Sequence, residues 1–362
     1  MSSNTDDPNT LPDTQDVAEF LEALMRIDST SGREATFGNA LAEWLQAHGW
    51  WLVKQPVSHG LEERYNIFAT RQSYTTDKQP TVILNTHIDT VPPYIPPTRE
   101  GNVLKGRGSC DAKAMVAGMC FAANRIVNEQ PKLVDRLGLL FVVSEENGHY
   151  GMIEANKLHL SPEYMIVGEP TEMKWAVGHK GVLNIRLETH GKAAHSGYPE
   201  QGQSAVETLL DILHDMRNEP WPTSDRLGST TINIGLIQGG QAVNALAERA
   251  EATLLFRVVN PVQELIEQIK KVVGDRADLT VGSSCSSPTI FEAPPDRPTT
   301  VVAFGTDAPY LQCKFTKSFL YGPGSIRDAH SQWEYIRLDD LRQATDDYYE
   351  LSVKLLASEA SS

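Results

Sequence analysis

No stretch of this sequence carries about 18 consecutive apolar residues, so it offers no helix to span a bilayer. Met1 to Thr14 lack the basic start and apolar run of a secretory signal. Rich in Asp, Asn and Pro, they read as a disordered leader. Positive charge is scarce as well: 32 Lys and Arg stand against 47 Asp and Glu, for a net charge of −15. Such a chain is repelled by phosphate backbones and anionic lipid, which argues against nucleic acid and membrane partners. The four cysteines, Cys110, Cys120, Cys285 and Cys313, form no CxxC pair. They fit the reduced, buried thiols of a cytoplasmic protein. There is no HExxH, so a single-zinc helical protease site is not supported, and there is no internal repeat.

What is present is patterning. At 362 residues the chain has room for two domains, or for one domain carrying an insertion. Val17, Phe20, Leu21 and Leu24 recur at helical spacing behind Thr14, a fair cap. Phe37, Leu41, Trp44 and Leu45 mark a second helix closed by Gly49. The apolar runs at 82–85, 137–143 and 164–167 are nearly continuous, as strands buried on both faces should be. With a helix at 112–128 between them, they predict an α/β domain with a mostly parallel central sheet. Strands at 181–190, 230–237, 251–259 and 279–281, with helices at 204–217 and 263–273, predict a compact α+β unit. A helix near 307–311, a strand at 316–321 and a C-terminal helix from Leu338 then resume the first style. The expected division is a leader over 1–14, one domain formed by 15–178 and 290–362, and an inserted domain over 179–289.

Chemistry-bearing residues gather where the predicted strands end, the usual place for function in open α/β sheets. His87 and Asp89 follow the run at 82–84. His87 is a candidate ligand with a carboxylate behind its other ring nitrogen, or a structural histidine. Asp111 follows a Gly-Arg-Gly loop, and either caps the next helix or bridges two metal ions. Glu145 and Glu146 stand at the mouth of the strand at 139–143. Two carboxylates there are costly unless a cation neutralises them or the turn is solvated. Glu169 follows the strand at 164–167. Near the other end, Tyr321-Gly322-Pro323-Gly324 forms a loop whose amides can receive an anionic substrate group, and His330 follows. Together these are N and O donors suited to zinc, cobalt or manganese, with no thiolate required.

In this order the segments THIDTVPP, GRGSCDAK, VSEENG, VGEPT, GKAAHSG and YGPGSIRDAH resemble the acetylornithine deacetylase / succinyl-diaminopimelate desuccinylase group of di-zinc hydrolases, whose relatives include aminoacylases, carboxypeptidases and dipeptidases. The resemblance implies a zinc-exopeptidase-like catalytic domain interrupted by a lid and dimerisation domain, and therefore a homodimer. It implies two divalent ions, zinc first: one on His87 and Glu169, the other on Glu146 and His330, with Asp111 bridging. Asp89 would orient His87. Glu145 would be general base and then general acid, with a metal-bridging hydroxide attacking the amide. His195 would reach across the dimer to the scissile carbonyl, and Asn244, Arg257, Gly322 and Gly324 would contact substrate. The implied substrate is an N-acylated amino acid of the N-acetylornithine type, with a metallo-carboxypeptidase or dipeptidase as the alternative. Two positions depart from the family pattern. Ala114 replaces a glycine after Lys113, and Asn244-Ala245-Leu246-Ala247 lacks the usual closing proline.

Overall fold

Residues Val82–His87 and Leu137–Val142 are buried at every position, and Tyr164–Gly168 at all but the first. Apolar runs of this kind are stable only between two covering layers, and that is where they lie. The computed structural model describes residues 9–58, 63–282, 285–313 and 316–358. It divides into two compact units, the larger formed by the chain through Val177, Phe291–Thr300 and the chain from Thr306. The smaller comprises Gly178–Ile290 and Val301–Gly305.

In the larger unit the strand order is Trp51–Pro56, Tyr65–Thr70, Leu137–Val142, Val82–His87, Tyr164–Gly168, Lys317–Tyr321. The last four run parallel, with His87 beside Val142 and Tyr321 beside Gly168. The first two are antiparallel to their neighbours, as is the contact of Leu320 with Ala176. The class is α/β, as expected, but the sheet is mixed; the strands at 51–56 and 65–70 are too close in sequence for the crossover that a parallel pair requires. Helices Lys113–Glu129, Val17–Arg26 and Leu338–Ala357 pack together over one core with Phe20, Leu24, Met115, Ile126 and Tyr348.

Three local expectations change. Helix Val17–Arg26 is capped by Asp16, which accepts the Ala18 N–H at 3.0 Å; Thr14 instead accepts from Asp16 N–H and donates to Glu19. Within the expected leader, Leu11 is buried and Pro12 O accepts from Trp44 Nε1 at 3.1 Å, while positions 1–8 lie outside the described residues. The expected helix at 307–311 is one 3₁₀ turn, Ala308–Tyr310, ended by extended backbone at Leu311.

The smaller unit is an antiparallel sheet in the order Thr231–Gly239, Arg249–Val258, Gly181–His190, Asp278–Val281. Gly181–His190 and Arg249–Val258 alternate buried and open residues, the mark of a sheet covered on one face. Helices Ala205–Asn218 and Val262–Val273 bury Leu209, Ile212, Leu265 and Ile269 against Leu187, Leu254 and Phe256. Among the described residues no helix is long and apolar enough to cross a membrane.

Candidate metal centre

Three adjacent parallel strands of the larger unit deliver ligand-capable groups to one edge. His87 is the last residue of its strand, Glu169 directly follows Gly168, and Glu145 and Glu146 stand just past Val142. Glu145–Gly148 is a single helical turn, whose first N–H groups have no partner within the turn. Asp89 supplies one: its carboxylate accepts from Glu145 N–H at 3.0 Å and Glu146 N–H at 3.2 Å, and also from Ser31 Oγ at 2.7 Å. His87 Nδ1 lies 2.9 Å from the Asp89 carbonyl oxygen and 3.5 Å from its carboxylate. Asp89 therefore faces His87 chiefly with its backbone, and its side chain secures the glutamate turn.

Asp111 is the meeting point. It lies before helix Lys113–Glu129, which starts without a side-chain cap, so the capping alternative is not realised. One Asp111 oxygen is 3.1 Å from His87 Nε2, and the other is 3.3 Å from His330 Nε2. His330 Nε2 also stands 3.0 Å from Glu146 Oε2. Donor atoms of His87, Asp111 and Glu169 lie within 4.8 Å of one another, and those of Asp111, Glu146 and His330 do the same. All five residues expected to hold metal thus fall into two triads sharing one carboxylate.

The electrostatics fit cations at this place. Burial first, then neighbouring carboxylates, pushes the Glu145 and Glu169 carboxyls well above their ordinary range, and Glu146 is raised for the same reasons. Burial works against ionisation of Asp111 too, but hydrogen bonds from His330 and His87 outweigh it and hold that carboxyl far below the usual range. His330 is pushed up to about 10 by Asp111 and Glu146. Crowded carboxylates that raise one another's pKa are what a divalent ion relieves.

Other expected contacts fall out differently. Gly322 N–H donates to Thr171 Oγ1 at 3.0 Å, so it has no donor left for a substrate anion. Gly324 has φ +80°, and a Cβ there would meet Cys110 Cβ at 2.3 Å; glycine is needed for close approach of the two loops. Cys110 is buried with its thiol pushed well up, chiefly by burial, and it faces Ser325 O at 3.6 Å rather than any ligand group. His195, Asn244 and Arg257 belong to the smaller unit. There His195 is exposed and its Nδ1 accepts from Gly197 N–H at 3.0 Å, while Ser196 N–H donates to Asn244 O. Arg257 lies on strand Arg249–Val258, opposite Val182.

A third group escaped the sequence reading. His149 Nδ1 is 2.9 Å from buried Asp307 and 3.7 Å from Glu145, with its ring stacked on Tyr310. The i, i+4 spacing of Glu145 and His149 was a faint signal; nothing local marked Asp307.

Comparison with known proteins places the chain in a family. Residues 177–280 match the peptidase dimerisation domain of the M20 family. A peptidase M20 domain-containing protein of Schizosaccharomyces pombe is 39% identical over 344 residues, covering 93% of this chain and 84% of its own. A probable carboxypeptidase of Aspergillus fumigatus is 36% identical over 385 residues, covering 94% and 87%. The crystal structure of a tripeptidase from Staphylococcus aureus superposes with a TM-score of 0.79 at 21% identity, covering 94% and 98%. The chain belongs to the M20 peptidase family of hydrolases, which act on amide bonds.

Proposed function

We propose that this protein is a two-metal carboxypeptidase, cleaving the amide bond next to a free carboxyl terminus. The observation that carries the reading is Asp111, one carboxylate common to two N/O donor triads. His87, Asp111 and Glu169 would hold one ion and Asp111, Glu146 and His330 the other, with zinc first and cobalt or manganese as alternatives. Bound ions would supply Lewis acidity toward the carbonyl and acidify water. Glu145 stands beside both triads, its carboxyl raised above the ordinary range by burial and then by Glu169, and a carboxylate there is placed to act as general base. Its carboxylate removes the proton of the attacking water and delivers it to the departing amine, while Asp89 keeps the turn in place through two backbone bonds. The likeness to a probable carboxypeptidase supports a peptide over an N-acetylornithine-type substrate.

The test is a substrate panel: N-blocked dipeptides, the same peptides amidated at the C-terminus, N-acetyl amino acids and free dipeptides. The blocked peptides with a free carboxylate should lead in kcat/KM by at least roughly tenfold, and amidation should abolish their turnover. Preference for N-acetyl amino acids would restore the deacylase reading. Cleavage confined to peptides with a free amino terminus would defeat both.

A further inference from the structure

Glu334 lies four residues beyond His330 and is 1% exposed. One of its oxygens, Oε2, pairs with Arg107 Nη1 at 2.6 Å, and Arg107 is 2% exposed. The other, Oε1, accepts the backbone N–H of Cys110 at 3.1 Å and of Asp111 at 3.3 Å. The same two chain segments are tied twice more, by Arg107 Nη1 donating to Ser331 O at 3.2 Å and Gly106 N–H donating to Glu334 O at 2.9 Å. A carboxylate so close to Asp111 would ordinarily add to the negative crowd. Arg107 balances it, leaving Oε1 as a charge-assisted acceptor for two neighbouring amides.

We propose that Glu334 is a positioning residue for the shared ligand: it fixes the Asp111 backbone so that the two carboxylate oxygens face His87 and His330 at once, and thereby sets the affinity for the metal pair. The inference rests on the reading of Asp111 as a bridge. Outer partners that orient a ligand typically change metal affinity by about 10–100-fold when altered.

The experiment strips the protein of metal and titrates it with Zn²⁺ against a chromophoric chelator, for the wild type, Glu334→Gln and Glu334→Asp. Gln keeps an acceptor but loses the charge; Asp keeps the charge but withdraws it by one methylene. Expected is a wild type that takes two equivalents, and variants that keep the far-UV spectrum of the metal-free wild type yet bind Zn²⁺ about 10–100-fold more weakly. Their turnover should recover at saturating Zn²⁺ with KM unchanged. Wild-type affinity in both variants overturns the inference. So does failure of both to fold even with saturating Zn²⁺, since Glu334 would then be a fold element only. Fewer than two equivalents on the wild type removes the bridge itself, a failure read from the unmutated protein.

Discussion

On the smaller unit Arg186 lies against Glu251 and Glu188, Arg249 against Glu188, and His190 against Asp278, across three neighbouring strands. Each acid there has a base beside it, and the bases are at least two-fifths exposed. In the larger unit Glu145, Glu146 and Glu169 crowd beneath the surface. Among the described residues the ion-pair neighbours of Glu145 and Glu146 are imidazoles, His149 and His330. The first arrangement is complete in the polypeptide, and water screens what is left of it. The second is not balanced in this way, since desolvated acids that repel one another either keep their protons or take positive charge from outside the chain.

The strongest attempt to break this contrast is exhaustive chelation. Turnover should vanish and return on adding Zn²⁺, and the unfolding midpoint should fall, because an ion bound only by the folded state stabilises it. The metal-free protein should also show a particular pH dependence. Glu145 and Glu169 have folded pKa values raised from 4.5, by burial first and then by neighbouring carboxylates. Their contribution to stability is therefore full below about 4.5 and drains as pH rises through the folded values. His330, raised to about 10, acts in the same direction. Asp89 and Asp111 are lowered from 3.8, so their contribution is lost only in acid below that value. Between pH 5 and pH 8 calorimetry should show the metal-free midpoint falling and the Zn²⁺-loaded midpoint holding. A flat metal-free profile, or turnover that survives chelation, would leave the contrast without a basis.

Glu145→Gln sharpens the comparison from inside the crowd. Turnover should fall by about 10²–10⁴-fold with two metal equivalents still bound, while removal of one repelling charge raises the metal-free midpoint near neutral pH. Near wild-type rates would take the proton-transfer role from Glu145. The smallest effect belongs to the other unit. Arg186→Gln should leave both turnover and midpoint within replicate scatter, because its ion pairs are solvent-screened. A clear loss of stability would show that its surface network is more than local neutralisation.

Much of this was readable before any fold was known. The strands leading to His87, Glu146 and Glu169 announce themselves as continuous apolar runs, and each of these residues is at or within a few residues of a run's end. Strand direction is less legible, because an apolar run looks the same whichever way it points; the strand at 51–56, which pairs antiparallel with that at 65–70, was not among the predicted elements. Glu334, His149 and Asp307 stayed hidden for another reason. Glu334 matters through Cys110 and Asp111, more than 220 positions earlier, and no periodicity links such segments. Gly322 was misjudged on the same ground. A Gly-Pro-Gly loop advertises free amides, and only the fold shows Thr171, 151 positions away, accepting one of them.

The parallel sheet also orders events during synthesis. A growing chain makes His87, Asp111, Glu146 and Glu169 early, then must produce the whole of the smaller unit before His330 leaves the ribosome. Until then the nascent polypeptide holds all of one candidate donor trio and two members of the other, Asp111 and Glu146. Under the proposed two-metal function, the second ion would be acquired only in the last moments of translation or after it.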